Sequence, residues 1–232
     1  MTVKLLILGR PGSGKSYAAR YFELDVRIRG GSFYRINDYK HLRKQFILDK
    51  DHVRFEPIGD RGFNVLDPSV LNESLTEVIK EAKSCCAAQI YDLAIIEFAR
   101  PVYGDALRKF GNKFLENALF LFIDADLDTC FERIQIRAAN PQFPDDDIFV
   151  SKETLLHFYS EDNKGYMPAG LIDDFGLQDS QVKCIDNIRS IEEFEAQLSE
   201  FIQIFQERIG QSPETDPAQF ISTAMLDCQV SK

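Results

Sequence analysis

Hydrophobic residues occur along this chain in short, dense runs that alternate with longer stretches of spaced apolar positions. The short runs predict buried strands, because a strand covered on both faces is almost continuously apolar. The longer stretches predict helices that turn one apolar face to the core. The predicted strands cover residues 3–8, 30–38, 91–97, 118–124 and 181–186, with a short edge strand within 52–59. The predicted helices cover 15–24, 39–48, 68–88, part of 101–117, 125–139, 151–162 and 190–210.

This alternation of strands and helices indicates βαβ units, and therefore an α/β domain with a parallel sheet between two layers of helices. In such sheets, ligands bind beyond the carboxyl ends of the strands. Gly9, Asp38, Glu97 and Asp124 each fall at or just past the end of a predicted strand. We therefore expect these four residues to lie along one rim of the sheet. The segment 91–97 should run beside the strand that ends at Gly9.

The composition is that of a globular protein, with 44% hydrophobic and 28% charged residues in a chain of 232. This length fits a single α/β domain with an embedded lid better than two independent domains. We expect one domain over residues 1–210 and a flexible tail over 211–232. The net charge of −10 excludes the broad basic surface that duplex nucleic acid or an anionic membrane requires. No apolar run approaches the roughly 20 residues of a membrane span.

The cysteines and histidines do not indicate a metal or disulfide site. The five cysteines are odd in number and show no CxxC spacing, and the three histidines are scattered. Reduced thiols in a cytoplasmic protein are therefore expected. The opening run "MTVKLLILG" leads directly into a glycine-rich loop, so we expect no signal peptide there.

The segment "GRPGSGKS", residues 9–16, satisfies the pattern G-x-x-x-x-G-K-[ST] in full. Its glycines let successive backbone N–H groups point at phosphate oxygens, and the following helix adds the positive end of its dipole. Lys15 should reach the β and γ phosphates, and the Ser16 hydroxyl should ligate Mg²⁺. A chance match is disfavoured because the motif lies between an apolar strand and a helix. The residues predicted to bind the nucleoside triphosphate are Arg10, Pro11, Gly12, Ser13, Gly14, Lys15, Ser16 and Tyr17.

ATP is the predicted triphosphate. A GTPase would carry an Asn/Thr-Lys-x-Asp motif that reads guanine after a strand. The nearest candidate, "NKGY" at residues 163–166, lacks the aspartate and lies in a loop-rich segment.

Two arginines follow the strand and turn "LFIDADLD". Arg133 and Arg137 are four residues apart, and hence lie on one face of the predicted helix. They could bind the triphosphate, or they could be solvated and pair with Glu132 or Asp128. The spacing alone leaves both interpretations open.

With these motifs the chain resembles the adenylate kinase-like nucleotide kinases, within the wider group of nucleoside and nucleotide kinases. "GRPGSGKS" is similar to their phosphate loop, and "FIDADLDTCFERIQIR" is similar to their strand followed by E-R-I-x-x-R, whose two arginines bracket ATP. "IIEFARP" and "INDYKHLR" stand where those kinases have Asp-Gly-Phe-Pro-Arg and Gly-Asp-x-x-Arg. The resemblance covers residues 3–205. It implies a P-loop NTPase fold (three-layer α/β/α with a mostly parallel five-stranded sheet), a lid over about 139–165 and an acceptor-side segment over about 38–67.

The departures from the family pattern fall mainly on the acceptor side. Glu97 stands in place of an aspartate, and Arg100 comes one position earlier than the family arginine. After the second strand the next arginine is Arg43, two positions later than in the family. A further arginine expected near Thr154 is absent, and Lys152 is the closest cation. By resemblance, binding of ATP and a closing lid carry over well, whereas recognition of a nucleoside monophosphate carries over poorly.

The acceptor-side residues each have two interpretations. Asp38 could orient or deprotonate an acceptor hydroxyl, or it could cap a helix that starts at Tyr39. Arg43, Arg61 and Arg100 are candidates for binding an acceptor phosphate, or they are solvated surface residues. The predicted acceptor-binding residues are Asp38, Arg43, Glu97 and Arg100.

The remaining acidic residues at strand ends are assigned in the same way. Glu97 could hold Mg²⁺ through water, as a second ligand beside Ser16, or it could be a capping or surface carboxylate. Asp124 and Asp126 are predicted to cap the helix that follows them. The run Asp145–Asp147 is interpreted as a solvated surface of the lid.

The sequence therefore predicts a cytoplasmic kinase that transfers the γ-phosphate of Mg·ATP to a nucleotide, a nucleoside or a similar metabolite. The predicted catalytic residues are Lys15, Asp38, Arg133 and Arg137, because phosphoryl transfer needs cations around the moving group and an aligned acceptor. The alternative is an ATP-binding regulatory or interaction protein with little or no turnover. The expected partners are the triphosphate and a small-molecule acceptor, without nucleic acid or membrane. The oligomeric state stays open.

Overall fold

The computed structural model describes residues 2–59, 62–143, 149–161 and 163–208. Three predictions, those for the tail 211–232, for Arg61 and for Asp145–Asp147, lie outside these ranges. Within them, the strands are β1 (Val3–Leu8), β2 (Phe33–Asn37), β3 (Phe55–Pro57), β4 (Phe63–Val65), β5 (Leu93–Phe98), β6 (Ala118–Asp124) and β7 (Val182–Asp186). The helices are α1 (Lys15–Ile28), α2 (Asp38–Leu48), α3 (Ser69–Ala88), α4 (Tyr103–Arg108), α5 (Asn112–Leu115), α6 (Leu127–Ala139), α7 (Lys152–Tyr159), α8 (Ala169–Phe175) and α9 (Ile191–Arg208).

The main sheet has five strands in the order β2-β5-β1-β6-β7, and all its pairings are parallel. This confirms the predicted α/β class with a five-stranded sheet. The central strand β1 neighbours β5, with Ile7 opposite Glu97 and Leu8 opposite Phe98. The expectation that segment 91–97 runs beside the strand ending at Gly9 is therefore confirmed. Because the pairing is in parallel register, the carboxyl ends of both strands reach the same rim.

Helices cover both faces of the sheet. Helices α1 and α9 pack on one face, where Phe22 meets Phe201 and Phe205 edge to face with ring centroids 6.2 and 5.8 Å apart. Helices α3, α4 and α8 cover the other face. Each fully buried phenylalanine contributes roughly 1.5–3 kcal/mol to the free energy of folding relative to an exposed one. The rim that carries the candidate site therefore rests on a rigid, well-packed scaffold.

Helix α1 extends to Ile28, four residues beyond its predicted end. The sequence predicts that this helix ends at about Leu24. Asp25, however, is buried, and its Oδ1 accepts hydrogen bonds from Arg29 Nε at 3.0 Å and Gln206 Nε2 at 3.2 Å. These contacts made in the folded protein satisfy the carboxylate and allow the helix to continue.

A two-stranded antiparallel hairpin of β3 and β4 packs on α2. The first of these strands is predicted from the sequence. The segment of the second strand is predicted to be a turn, because "DRGFNVLDP" is rich in turn residues. Phe63 in β4 stacks on Tyr39 of α2 with centroids 5.7 Å apart and an interplanar angle of 3°. The Oδ1 atom of Asn64, also in β4, accepts hydrogen bonds from the hydroxyls of Ser151 and Thr154 at 3.0 and 2.8 Å. The hairpin is thereby joined to the start of α7.

The two capping predictions at the start of α6 had different outcomes. Asp126 is the N-cap of this helix and accepts a hydrogen bond from Thr129 N at 2.8 Å, as predicted. The prediction for Asp124 is wrong, because its carboxylate pairs with Lys164 Nζ at 2.8 Å instead. Asp124 ends β6 two residues before the N-cap of the helix, which is too early to reach the first turn.

Two negative findings hold within the described ranges. Cysteines 85, 86, 130 and 184 are free thiols, as expected. Of the helices described, none combines the length and the apolar character needed to span a bilayer.

Candidate active site

The loop Gly9–Ser16, called the phosphate loop below, connects β1 to α1 and requires glycine at three positions, of which Gly12 and Gly14 show its path. Gly12 has a φ angle of +82°, and a Cβ atom there would lie 2.3 Å from the backbone oxygen of Cys130 in α6. Gly14 has a φ angle of +109°, and its Cβ would lie 2.5 Å from Asn187 Nδ2. Any side chain at either position would push the loop off these neighbours. The loop therefore follows a tight path close to α6 and to the residue after β7.

We expect Gly12→Ala to weaken ATP binding by about tenfold or more, because a displacement of about 1 Å in a site is enough for such losses. Gly30→Ala is a matched control, since Gly30 also has a positive φ angle of +74°, but a Cβ atom there would meet no other atom within 4 Å. The control should lower stability through backbone strain alone and leave ATP affinity unchanged. Calorimetric titration with ATP checks both variants, and equal affinities in the two would contradict the prediction.

Two side chains that the sequence analysis missed hold the phosphate loop in place through hydrogen bonds to its backbone. The buried hydroxyl of Tyr103 accepts a hydrogen bond from Gly9 N at 2.7 Å and lies 2.9 Å from Gly9 O. Asn187 donates from Nδ2 to Ser13 O at 2.8 Å. Burial raises the pKa of Tyr103, so this hydroxyl keeps its proton at neutral pH. Asn187 directly follows β7, so the rule that ligand-side residues follow strand ends could have found it.

The Lys15 side chain lies over the phosphate loop. Its Nζ atom donates to the backbone oxygens of Gly9 and Arg10, both at 2.8 Å. Burial lowers the pKa of Lys15, and the nearby carboxylates of Glu97 and Asp38 act in the opposite direction. A phosphate bound in the loop would supply further negative charge and favour the charged amine.

Ser16 and Glu97, the two residues predicted to ligate Mg²⁺, lie side by side. The Ser16 hydroxyl donates to Glu97 Oε2 across 3.4 Å, and the Glu97 side chain is almost completely buried at the end of β5. Mg²⁺ prefers oxygen ligands and is usually bound through one or two protein groups together with substrate phosphates. A hydroxyl and a carboxylate beside a phosphate loop fit such an ion.

The second oxygen of Glu97 is held by residues of β2 that the sequence analysis did not select. Oε1 accepts hydrogen bonds from Arg35 Nη2 at 2.6 Å and from Asn37 Nδ2 at 2.6 Å. Arg35 Nε also lies 3.7 Å from a carboxylate oxygen of Glu23 in α1. With Oε1 fixed in this way, Oε2 stays turned towards Ser16. The parallel register that sets Asn37 opposite Glu97 brings these groups together.

Asp38 is the first residue of α2, but it does not cap the helix. Asn37 is the N-cap and accepts from Tyr39 N at 2.7 Å, so the capping interpretation of Asp38 is wrong. The Oδ2 atom of Asp38 accepts from Arg100 Nη1 at 2.5 Å and from Ala99 N at 3.3 Å. Within the described part of the chain, both of its side-chain hydrogen bonds end on this one oxygen.

Arg100 lies beneath the rim and not in the open cavity. Only 5% of its surface is exposed, and its guanidinium also donates to the backbone oxygens of Ala99 and Leu71 at 2.5 and 2.6 Å. These contacts fit a role in positioning Asp38 better than contact with an acceptor phosphate. Arg100 lies two residues after the end of β5, where its side chain turns back into the protein.

The two arginines of α6 line the same cavity as the phosphate loop. Arg133 donates from Nη1 to Asn187 O at 2.8 Å. Arg137 is half-buried, and its charge is close enough to Lys15 to help lower the pKa of that amine. This arrangement favours the triphosphate-binding interpretation over a solvated pair. Arg20, one turn after Ser16 on α1, lines the cavity too and was missed in the sequence.

The other predicted residues of the loop contribute in different ways. Pro11 lines the cavity, whereas Ser13 is completely buried in the turn. The guanidinium of Arg10 turns away from the cavity and donates to two backbone oxygens at 3.0 and 2.9 Å. The backbone of Arg10, and not its side chain, therefore faces the inside of the loop. Tyr17 lines the cavity edge, and its hydroxyl donates to the Glu195 carboxylate.

The remaining acceptor-side candidates lie outside the cavity. Arg43 is exposed on α2 and does not contribute to the cavity lining. Lys152 lies 3.2 Å from Asp128 on the surface. The structure therefore brings together Lys15, Ser16, Asp38, Glu97, Arg133 and Arg137, but not Arg43.

The cavity has a volume of about 340 Å³ and two chemically different ends. The phosphate-loop end carries the cations Lys15, Arg20, Arg133 and Arg137. The other end, called the apolar wall below, is formed by Tyr39, Leu42, Phe63, Val65 and Leu71, which pack in one apolar cluster of α2, β4 and α3. Phe149, Val150 and Phe158 also line the cavity, but they pack with α6 and α7. Asn37, Asp38 and Glu97 lie on the lining between these ends.

Searches of the sequence against family models and against curated proteins find no match. Among solved structures, the chain is similar to a gluconokinase from Sinorhizobium meliloti 1021, with 14% identity, a TM-score of 0.48 and coverage of 89% of this chain and 97% of the other. It is also similar to a shikimate kinase from Acinetobacter baumannii in complex with shikimate, with 14% identity, a TM-score of 0.46 and coverage of 90% and 94%. At this low similarity, function has to be inferred from the site itself.

Proposed function

We propose that this protein is a small-molecule kinase that transfers the γ-phosphoryl group of Mg·ATP to a hydroxyl group of a nucleotide, nucleoside or similar metabolite. The observation that carries the proposal is a single cavity lined by the phosphate loop, the Ser16–Glu97 pair, the arginines of α6 and the carboxylate of Asp38. A protein that only binds ATP needs only the phosphate loop. A carboxylate beside the position of the transferred group is what a second, hydroxylic substrate requires.

The chain's own residues supply the positive charge for the transfer. The backbone N–H groups of the phosphate loop bind the phosphate oxygens, and Lys15 moves from the loop carbonyls to the β and γ phosphates. Arg133 and Arg137 offset the charge that spreads over the equatorial oxygens during transfer. Mg²⁺, held by Ser16 and through water by Glu97, would neutralise further phosphate charge when bound.

Asp38 acts on the acceptor. Its Oδ1 atom is the oxygen without a hydrogen-bond partner among the described residues, while Oδ2 is fixed by Arg100 and Ala99. Oδ1 would therefore accept the proton of the acceptor hydroxyl as its oxygen bonds to the γ-phosphorus. The hairpin and α7, joined through Asn64, limit access of water, which would otherwise hydrolyse ATP.

An assay of ADP formation over a panel of metabolites tests the proposal. Turnover that depends on one acceptor supports a kinase. Tight ATP binding with only basal hydrolysis, whatever the acceptor, would instead support the alternative of an ATP-binding regulatory protein.

Arg137→Ala should lower turnover by about 100-fold while weakening ATP binding much less, because such a cation matters most when charge develops in the transition state. Arg189→Ala is the matched control, since Arg189 is largely exposed before α9 and, among the described residues, pairs with Glu193 in the first turn of that helix. Steady-state kinetics and ATP titration on both variants give the comparison. Equal losses in turnover and in binding would show that Arg137 is a binding or structural residue only.

A further inference from the structure

Among the described residues, three basic side chains near the apolar wall are bound by other groups. Arg54 donates to Glu73 at 2.6 Å, Arg100 donates to Asp38 at 2.5 Å, and Lys152 lies on the outer surface. All the cations in the described cavity lining belong to α1 and α6, at the phosphate-loop end. An acceptor that carried a phosphate or carboxylate would need a cation at the opposite end, where the described lining provides none.

The wall itself is suited to an apolar body. Two of its rings, Phe63 and Tyr39, are stacked with an interplanar angle of 3°, and Phe63 also stacks on Phe46 with centroids 4.8 Å apart. Leu71 and Val65 extend the same surface from α3 and β4. Aromatic and apolar walls bind flat, uncharged groups, whereas an ionised group placed there would lose its hydration without compensation.

The two carboxylates beside the wall offer no positive charge to an anion. Asp38 and Glu97 line the cavity, and each is already paired with an arginine, Asp38 with Arg100 and Glu97 with Arg35. Asp38 can, however, accept a hydrogen bond from a neutral hydroxyl. The same residues therefore select for a hydroxyl group and against an acidic group.

We propose that the acceptor is an uncharged molecule with an aromatic or otherwise apolar body and a hydroxyl group, and that phosphorylated or carboxylated acceptors are excluded. This inference rests on the kinase function proposed above and narrows its acceptor. In the reaction, the hydroxyl oxygen bonds to the γ-phosphorus, the bond between this phosphorus and the β–γ bridging oxygen breaks, and ADP leaves. The hydroxyl proton passes to Asp38.

A binding experiment tests the acceptor class independently of turnover. The full chain is loaded with Mg·ADP, which occupies the phosphate loop, and is titrated with matched pairs: thymidine and its 5′-monophosphate, adenosine and its 5′-monophosphate, and 4-(2-hydroxyethyl)phenol and its phosphate ester. At least one neutral member should bind at least about tenfold more tightly than its phosphorylated partner, a difference of about 1.4 kcal/mol. Preferential binding of a phosphorylated member, or no binding by any neutral one, would overturn the inference. If a neutral compound binds but is not phosphorylated by ATP, the kinase proposal fails while the acceptor class stands.

The apolar wall is tested with Val65→Asp and its matched control Val53→Asp. Val65 lines the wall, whereas Val53 is 72% exposed on the connection before β3. Val65→Asp should weaken binding of the neutral ligand by about tenfold or more without changing ADP affinity, because it places a charge against the apolar body. The control Val53→Asp should change neither the affinity for the neutral ligand nor the affinity for ADP. Thermal unfolding of both variants shows whether they fold. Unchanged ligand affinity in a folded Val65→Asp variant would contradict the assignment of the apolar wall. If that variant does not fold, Val65→Thr is measured in its place against Val53→Thr.

Discussion

Lys15→Ala is expected to abolish phosphoryl transfer, with turnover reduced by about 1000-fold, because removal of one preorganised group that stabilises developing charge costs this much. The amine of Lys15 lies over the phosphate loop, 2.8 Å from the oxygens of Gly9 and Arg10, and no other amine in the described cavity lining could replace it. ATP affinity should fall as well, since the same amine binds the β and γ phosphates in the ground state. Steady-state kinetics and calorimetric titration with ATP measure the two losses.

Lys113→Ala is the control for this substitution. Lys113 is an exposed residue of α5, away from the phosphate-loop cavity, so its removal should leave both quantities unchanged. Unchanged activity in Lys15→Ala would contradict the assignment of the phosphate loop, and with it the whole proposed function. A loss of activity together with a loss of folded structure would point to a structural role for the lysine.

Asp38→Asn is expected to have the second largest effect, a fall in turnover of about 10²–10⁴-fold, the range that a positioned general base contributes. The asparagine keeps the size of the side chain but cannot take up the acceptor proton. ATP affinity should not fall, because Asp38 makes no hydrogen bond to a loop atom among the described residues and the loss of its negative charge near Lys15 does not weaken the attraction of phosphate. Rates with saturating ATP and acceptor, compared with ATP titration, separate the two quantities.

The ion pair with Arg100 gives this prediction a structural check. Loss of one partner of a buried ion pair is destabilising, so the Asp38→Asn variant should also unfold at a lower temperature. Asp51→Asn, at an exposed residue between α2 and β3, should leave stability and turnover unchanged. If turnover in the folded Asp38→Asn variant equals that of the wild type, Asp38 is not the base and the acceptor hydroxyl lies elsewhere.

The features that the sequence predicts well are those set by local pattern. The run from Val3 to Leu8 and the run from Ala118 to Asp124 are so continuously apolar that their bounds agree with the structure at every residue. The same pattern predicts that the residues at the strand ends share one rim of the sheet, because parallel strands bring their carboxyl ends together. Ser16 and Glu97 therefore meet, although 81 residues separate them in the chain.

The features that the sequence missed depend on contacts between distant elements. Arg35 and Asn37 look like ordinary residues of a strand, and only the register of β2 on β5 brings them to Glu97. The position of Arg100 in the sequence suggests a ligand of the acceptor, but its ion pair with Asp38 holds it beneath the rim. Tyr103, in a short helix, gives no local signal of its hydrogen bond to the phosphate loop.

The apolar wall illustrates the same limit on the acceptor side. The strand that contributes Phe63 and Val65 was interpreted as a turn, so the wall could not be seen in the sequence. Its apolar character changes the expected acceptor from one bound by arginines to one bound by aromatic and aliphatic groups. The identity of the substrate therefore depends on the part of the fold that local pattern predicts least well.

Transfer of a radioactive label from γ-labelled ATP tests the central claim most directly. The full chain is incubated with Mg²⁺, the labelled ATP and the neutral acceptor that binds best, and the products are separated by chromatography. The label is expected to appear on the organic acceptor, its transfer is expected to be lost in Lys15→Ala, and little free phosphate should form. Label found only in free phosphate, at a rate that the acceptor does not change, would contradict this claim.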